Sequence, residues 1–196
     1  MQLTKNIQKA ITKSAVLHKD QVRKEKDAPF IIHPYSVAII LSGYTNDEDT
    51  IVAGLLHDVL EDVPGYYESD MIRDFGEKVT EIVKGVTEEK DPNDSTKNEK
   101  ETWLYRKNKY LDRLRKDSKE SLMVSAADKI HNLSSTINAY KERGEDAFRN
   151  FNSTIEERLW FNGEVLNVLK ERLDNKIVVE LEEKHKEAKR FFKEQI

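Results

Sequence analysis

Apolar residues recur at helical spacing along nearly the whole chain, and almost nothing in it alternates with the two-residue period of a strand. Seven glycines and four prolines leave few places to interrupt a helix in 196 residues. A chain of this length suits one domain with its own core. The pattern therefore predicts an all-α fold, a single-domain helical bundle spanning residues 1–196.

Helix boundaries follow from the punctuation. A first helix is predicted over 3 to about 19, then a basic polar connector over 21–28. Pro34 fits the first turn of a second helix that runs to about Ser42, before Gly43. Asn46 or Asp47 suits the cap of a third, predicted as one continuous helix over about 49–62 and stopped by Pro64-Gly65. Two short helices flank Gly76, over 68–75 and 77–86. Residues 88–99 carry turn chemistry without an apolar anchor and read as a loop. Helices are then expected over 101–116, 121–140 and 155–196, the last broken near Asp174-Asn175.

Within the third helix, His57, Asp58, Glu61 and Asp62 interrupt an apolar segment that begins at Ile51. Each ion taken out of water costs several kcal/mol unless a partner compensates it. At helical spacing, His57 and Glu61 lie one turn apart, as do Asp58 and Asp62, so the four form a polar stripe. A solvated face of an amphipathic helix would account for this spacing, and so would a metal or catalytic site. Two other segments bear on the choice. His33-Pro34 puts an imidazole at the mouth of a helix, and Asp128 puts a carboxylate at the end of the apolar run 122–127.

Composition narrows the function. The formal charge is −4, from 33 basic and 37 acidic residues, without the basic excess of a nucleic-acid binder. A small anionic substrate needs only a local basic pocket. With no cysteine, neither a disulfide framework nor a thiolate zinc site can form. The first six residues have no apolar signal core, and no apolar run approaches membrane-spanning length. A cytoplasmic protein without membrane partners is expected; oligomeric state is not legible.

The series Arg23-Lys24, Pro29-Phe30-Ile31-Ile32-His33-Pro34, Leu55-Leu56-His57-Asp58-Val59-Leu60-Glu61-Asp62, Phe75-Gly76, Gly85-Val86-Thr87 and Ala127-Asp128-Lys129-Ile130-His131-Asn132 resembles the hydrolase domain of RelA/SpoT proteins, within the HD phosphohydrolase superfamily, and most of all the stand-alone small alarmone hydrolases. It covers about residues 15–135; the helices expected over about 153–196 carry no strong signature. The resemblance implies a helical bundle of the HD type, with His33, His57, Asp58 and Asp128 holding Mn²⁺, although two imidazoles and two carboxylates suit several divalent metals. It implies that Glu61 and Asp62 orient or deprotonate the attacking water. It places Arg23 against a nucleobase, Lys24 near phosphates and Asn132 toward the ribose.

The implied activity is a Mn²⁺-dependent 3′-pyrophosphohydrolase acting on guanosine tetra- or pentaphosphate, (p)ppGpp, without the family's synthetase. The alternatives are an HD phosphohydrolase acting on another nucleotide (an adenosine alarmone, the 2′-phosphate of NADPH, a nucleoside monophosphate) and a non-catalytic nucleotide sensor. Lys129 and Val63 stand where relatives often carry arginine and threonine, and Ser135 near a frequent threonine. Outside the pattern, His131 reads as a packing residue or a support behind the ligands rather than a ligand itself, and His18 as a core or surface residue. His185 reads as part of a solvated charge run, and Trp103 and Trp160 as packing residues; Arg158 could reach a nucleotide from the next helix, although a surface ion pair is the favoured reading.

Overall fold

The computed structural model describes residues 2–24, 28–88 and 99–194. The loop expected over 88–99 falls mostly on 89–98, outside the described residues. Helix α1 (Lys5–Leu17) starts where the Thr4 side chain accepts from Ile7 N, two residues later than expected. Helix α2 (Ile32–Ser42) holds Pro34 in its first turn. Between them, Arg23 N donates to Ala28 O and Phe30 N to Gln21 O, so the expected connector turns back on itself in a short bridge.

Helix α3 (Glu48–Leu56) is capped by Asp47, which accepts from Thr50 N at 2.9 Å. The continuous helix expected over 49–62 is instead broken: α3 ends at Leu56, and α4 (Val59–Asp62) begins beyond a His57-Asp58 turn. The cause is local. His57 Nδ1 donates to Gly54 O at 2.9 Å, taking the carbonyl that the backbone N–H of Asp58 would use in an unbroken helix. Helix α5 (Glu68–Val86) bends at Gly76, whose φ of 85° belongs to the left-handed region, so the two short helices expected there abut across a kink.

Helix α6 (Glu99–Leu114) leads into α7 (Lys119–Arg143), capped by Ser118. A 3₁₀ turn over Gly144–Phe148 was not foreseen. Helix α8 (Ile155–Arg172) opens with a reciprocal Thr154–Glu157 cap, and α9 (Lys176–Lys193) follows Asn175, where the break was expected.

Helix α7 is the axis of the bundle and packs against α2, α3, α5, α8 and α9. Its first half, from Leu122 to Ala127, is buried all round, which is why an amphipathic period is faint there. Buried Ser121 and Ser125 are satisfied by Ile82 O (3.1 Å) and the Tyr110 hydroxyl (2.8 Å). Leu41, Leu55, Leu56, Met71, Leu122, Leu169 and Leu181 are fully buried. Each such side chain contributes roughly 1.5–3 kcal/mol. Gly54 lets α2 pass close to α3, because a Cβ there would collide with Leu41. That close approach sets His33 of α2 beside His57. The described residues are helical apart from their connections, and none of their helices is long and apolar enough to cross a membrane.

Candidate metal centre and nucleotide cleft

His33, at the start of α2, and His57, at the end of α3, are 2% and 4% exposed. Their Nε2 atoms face each other at 3.1 Å. Asp58 reaches both rings, with Oδ2 3.3 Å from His33 Nε2 and Oδ1 3.2 Å from His57 Nε2. Asp128, from the middle of α7, brings Oδ1 to 3.2 Å from His33 Nε2 and 3.9 Å from His57 Nε2. One ligand atom from each of His33, His57 and Asp58 falls within 4.8 Å of the others.

The hydrogen bonding behind the rings shows what this point can hold. A carbonyl can only accept, so His57 Nδ1 carries a proton toward Gly54 O, which leaves Nε2 as the nitrogen whose lone pair can serve a cation. Burial pushes the His33 imidazole below its ordinary pKa, against the raising effect of Asp128 and Asp58. Neutral imidazole nitrogens and two carboxylates converging within hydrogen-bond distance form an electron-rich point that a divalent cation fits.

Asp128 is further held by Lys129 Nζ at 2.5 Å and by the Asn132 amide. Burial alone would raise its pKa, but Lys129 and the two histidines keep the carboxyl well below the usual range. Burial likewise opposes the charge on Lys129, yet the charge of Asp128, with the ionisable Tyr110 hydroxyl, holds the ammonium above its ordinary pKa. Lys129 also lies over the rings of Tyr110 and Phe161.

Glu61, on α4, stands beside this centre. Its Oε2 accepts from Glu88 N at 2.9 Å. Burial first, then the charges of Asp58 and Asp62, push its pKa up to about 7. Asp62 is fixed through its backbone: Gln21 Nε2 donates to Asp62 O at 2.7 Å, and His18 Nδ1 contacts Gln21 Oε1 at 2.7 Å. His18 is thus a buried core residue that also braces the acidic turn.

The centre opens into a cleft of two adjoining cavities, about 200 and 570 Å³, that share Arg23, Phe30, Glu61, Asp62, Glu88 and Asn132 among their linings. All nine residues singled out from the sequence border this space. His33, His57, Asp58 and Asp128 line the smaller cavity, Lys24 lines the larger, and Arg23, Glu61, Asp62 and Asn132 line both. Arg23 lies over Phe30 and donates from Nη2 to Asn132 Oδ1 at 3.1 Å, while the Asn132 amide donates to Asp128. Asn132 therefore ties the cleft wall to the metal centre.

Several cleft residues were not foreseen. Glu88 is 7% exposed and pairs with Arg106 at 2.7 Å and with Lys107. A weak signal existed: Trp103, Arg106, Lys107, Tyr110 and Leu114 repeat at three- and four-residue spacing, so the two cations share the buried face of α6. Arg158 is half-buried. It stacks over Phe151 at 4.0 Å, donates to Thr136 Oγ1 at 2.7 Å and lines the larger cavity. His185 is not solvated but half-buried, bonded to Leu159 O at 3.0 Å. Trp103 is buried as expected, whereas Trp160 lies against it and stays 40% exposed.

The chain is similar to several known proteins. The guanosine-3′,5′-bis(diphosphate) 3′-pyrophosphohydrolase of Borreliella burgdorferi is 32% identical over 158 residues, which are 79% of this chain and 23% of that protein. A GTP pyrophosphokinase of Streptomyces coelicolor is 34% identical over 145 residues, 74% of this chain and 16% of that protein. The chain thus spans less than a quarter of the length of these curated relatives. The solved structure of a metazoan ortholog of SpoT, which hydrolyzes ppGpp and plays a role in starvation responses, has a TM-score of 0.73 at 24% identity, over 95% of this chain and 97% of that one, and so shares the fold. The HD domain family profile matches residues 10–153, which contain every residue of the metal centre; this chain belongs to the HD domain family.

Proposed function

We propose that this chain is a single hydrolase domain that removes the 3′-pyrophosphate from guanosine tetra- or pentaphosphate, giving GDP or GTP and pyrophosphate, with Mn²⁺ held by His33, His57, Asp58 and Asp128. The observation that carries this reading is the meeting of two imidazole Nε2 atoms and two carboxylates beside the half-buried acid Glu61. Similarity to guanosine-3′,5′-bis(diphosphate) 3′-pyrophosphohydrolases supports the substrate class.

A divalent ion held there would polarise a phosphoryl oxygen and acidify water. The rest falls to the chain's own groups. Glu61, poised near neutrality, takes the proton of the attacking water, and Asp62 holds that water by a further hydrogen bond. The water oxygen bonds to the phosphorus attached to the ribose 3′ oxygen. The bond between them breaks, the 3′ oxygen takes up a proton, and pyrophosphate leaves. Lys129, Lys107 and Lys24 supply positive charge along the cleft for the phosphoryl oxygens. Arg23 offers a guanidinium plane to the base, and Asn132 faces the sugar.

A plane recognises the face of a purine and not its edges, so a side-by-side panel of guanosine tetraphosphate, its adenosine counterpart and NADPH belongs in the test. The reading places the protein in the cytoplasm, without nucleic-acid or membrane partners. Purified protein with Mn²⁺ is expected to release pyrophosphate from guanosine tetraphosphate. A metal-loaded protein that releases none would overturn the assignment.

A further inference from the structure

We infer that His131 is a positioning residue that fixes the proton of His33 on Nδ1 and so keeps the inward nitrogen of His33 available to a metal ion. The inference rests on the reading of the four converging side chains as a metal site. It adds a residue outside that ligand set.

His33 Nδ1 and His131 Nδ1 lie 2.7 Å apart, and the rings meet at a centroid distance of 4.8 Å with a 45° tilt. At that distance one nitrogen must donate and the other accept. If His33 donates, its Nε2 keeps a lone pair facing His57 Nε2, Asp58 and Asp128. If His131 donates instead, the His33 proton sits on Nε2, where Asp128 and Asp58 accept it at 3.2 and 3.3 Å, and that nitrogen is closed to a cation. His131 therefore selects between two states of the same ligand.

The two histidines of the centre differ in this respect. His57 has no such choice, because a carbonyl stands behind it. His33 has a ring behind it that can play either part, so its readiness depends on a second side chain. Helix geometry supplies the arrangement: His131 follows Asp128 by three residues on α7, which puts the carboxylate in front of His33 and the imidazole behind it on neighbouring positions of one face. The rings are too close for His131 to be mere filling, since 2.7 Å between nitrogens is a hydrogen bond and not a packing contact.

Two substitutions separate positioning from packing. His131→Phe keeps a ring of similar size and removes the acceptor. His131→Asn gives up the ring but places an amide oxygen near the lost Nδ1. A packing role predicts that phenylalanine is the better replacement; a positioning role predicts asparagine. The probe is Mn²⁺ alone, titrated into metal-free protein and followed by the electron paramagnetic resonance signal of the free ion. His131→Phe is expected to weaken Mn²⁺ binding roughly 10–100-fold, the range typical of residues that orient metal-ligating histidines. His131→Asn is expected to stay within about threefold of wild type.

Phenylalanine binding as tightly as wild type, or asparagine losing as much as phenylalanine, would overturn the inference. Wild-type protein that binds no Mn²⁺ would overturn it together with the metal-site reading. The expected order of affinities supports it whatever the hydrolysis assay returns, so the two proposals can fail separately.

Discussion

The backbone N–H of Glu88 donates to Glu61 Oε2, while the Glu88 side chain pairs with Arg106 and Lys107 of α6. One residue therefore aims the half-buried acid and anchors the basic wall opposite it. Substituting Glu88→Gln keeps the first contact and cuts the second, leaving two partly buried cations without their carboxylate. A loss of about 2–3 kcal/mol is expected, below the range for fully buried pairs because both cations retain some exposure. Urea denaturation measures it. A loss under 0.5 kcal/mol, on the order of a surface pair, would show that Glu88 is not the anchor.

Glu61→Gln separates chemistry from stability. As general base, Glu61 should contribute roughly 10²–10⁴-fold to turnover. In the metal-free protein its pKa is raised from an ordinary value of about 4.3 to about 7. The sign follows from linkage. A carboxylate with a raised folded pKa contributes stability below its unfolded pKa and loses it as pH rises through the folded value. The glutamine variant should therefore be more stable than wild type above pH 7, by about 2 kcal/mol after discounting for partial exposure. The two should converge below about pH 4. Thermal melts of metal-free protein across this range would expose a wrong sign at once.

Mn²⁺ should stabilise the wild-type fold. At an ion concentration one hundred times the dissociation constant, the gain is about 2.7 kcal/mol. For a chain of this size that corresponds to a rise in Tm of roughly 5–10 °C. Asp58→Ala should show almost none of it, because the carboxylate touching both imidazoles is gone. A full thermal shift in that variant would mean that the ligand set is wrong.

Away from the site, Asp74 links α5 to α1. Lys13 at 2.8 Å, with Arg73 and the Tyr66 hydroxyl, holds its pKa at about 2. A depressed carboxylate contributes stability above its unfolded pKa, about 3.9, and loses it as pH falls through the folded value. Asp74→Asn should cost about 1 kcal/mol at neutral pH, since the lysine is partly exposed. The gap to wild type should close between about pH 4 and pH 2. A constant gap over that window would contradict the pairing.

Gly54→Ala tests the close approach of α2 and α3. The added methyl meets Leu41, which is fully buried, so overpacking should cost about 1–3 kcal/mol. Because the same contact sets His33 beside His57, Mn²⁺ affinity should fall as well. Unchanged affinity in a destabilised variant would separate the two roles of Gly54.

How much of this was readable from the chain depends on whether the determining contact is local. Caps such as Asp47 and Asn175, and the kink at Gly76, lie within a few residues of their effects. The convergence of His33, His57, Asp58 and Asp128 was legible because histidines and carboxylates in apolar segments need a shared reason, and the resemblance supplied the distant members. The break at His57-Asp58 escaped because it depends on a side chain capturing a backbone carbonyl, which periodicity does not record. Glu88 and Lys107 escaped, and Arg158 was read chiefly as a surface residue, for a different reason. A charge on an amphipathic helix looks the same in sequence whether it faces water or a cleft, and only tertiary packing distinguishes them.

The metal centre lies entirely within residues 10–153, while much of the far wall of the larger cavity, including Ile155, Arg158, Leu159 and Phe161, comes from α8 beyond that boundary. The candidate metal site and part of the cleft wall beside it are thus encoded in separate stretches. Substitutions in α8 can reshape that wall while the four converging side chains stay as they are. A lineage of such chains could alter what fits beside the site without rebuilding the site itself.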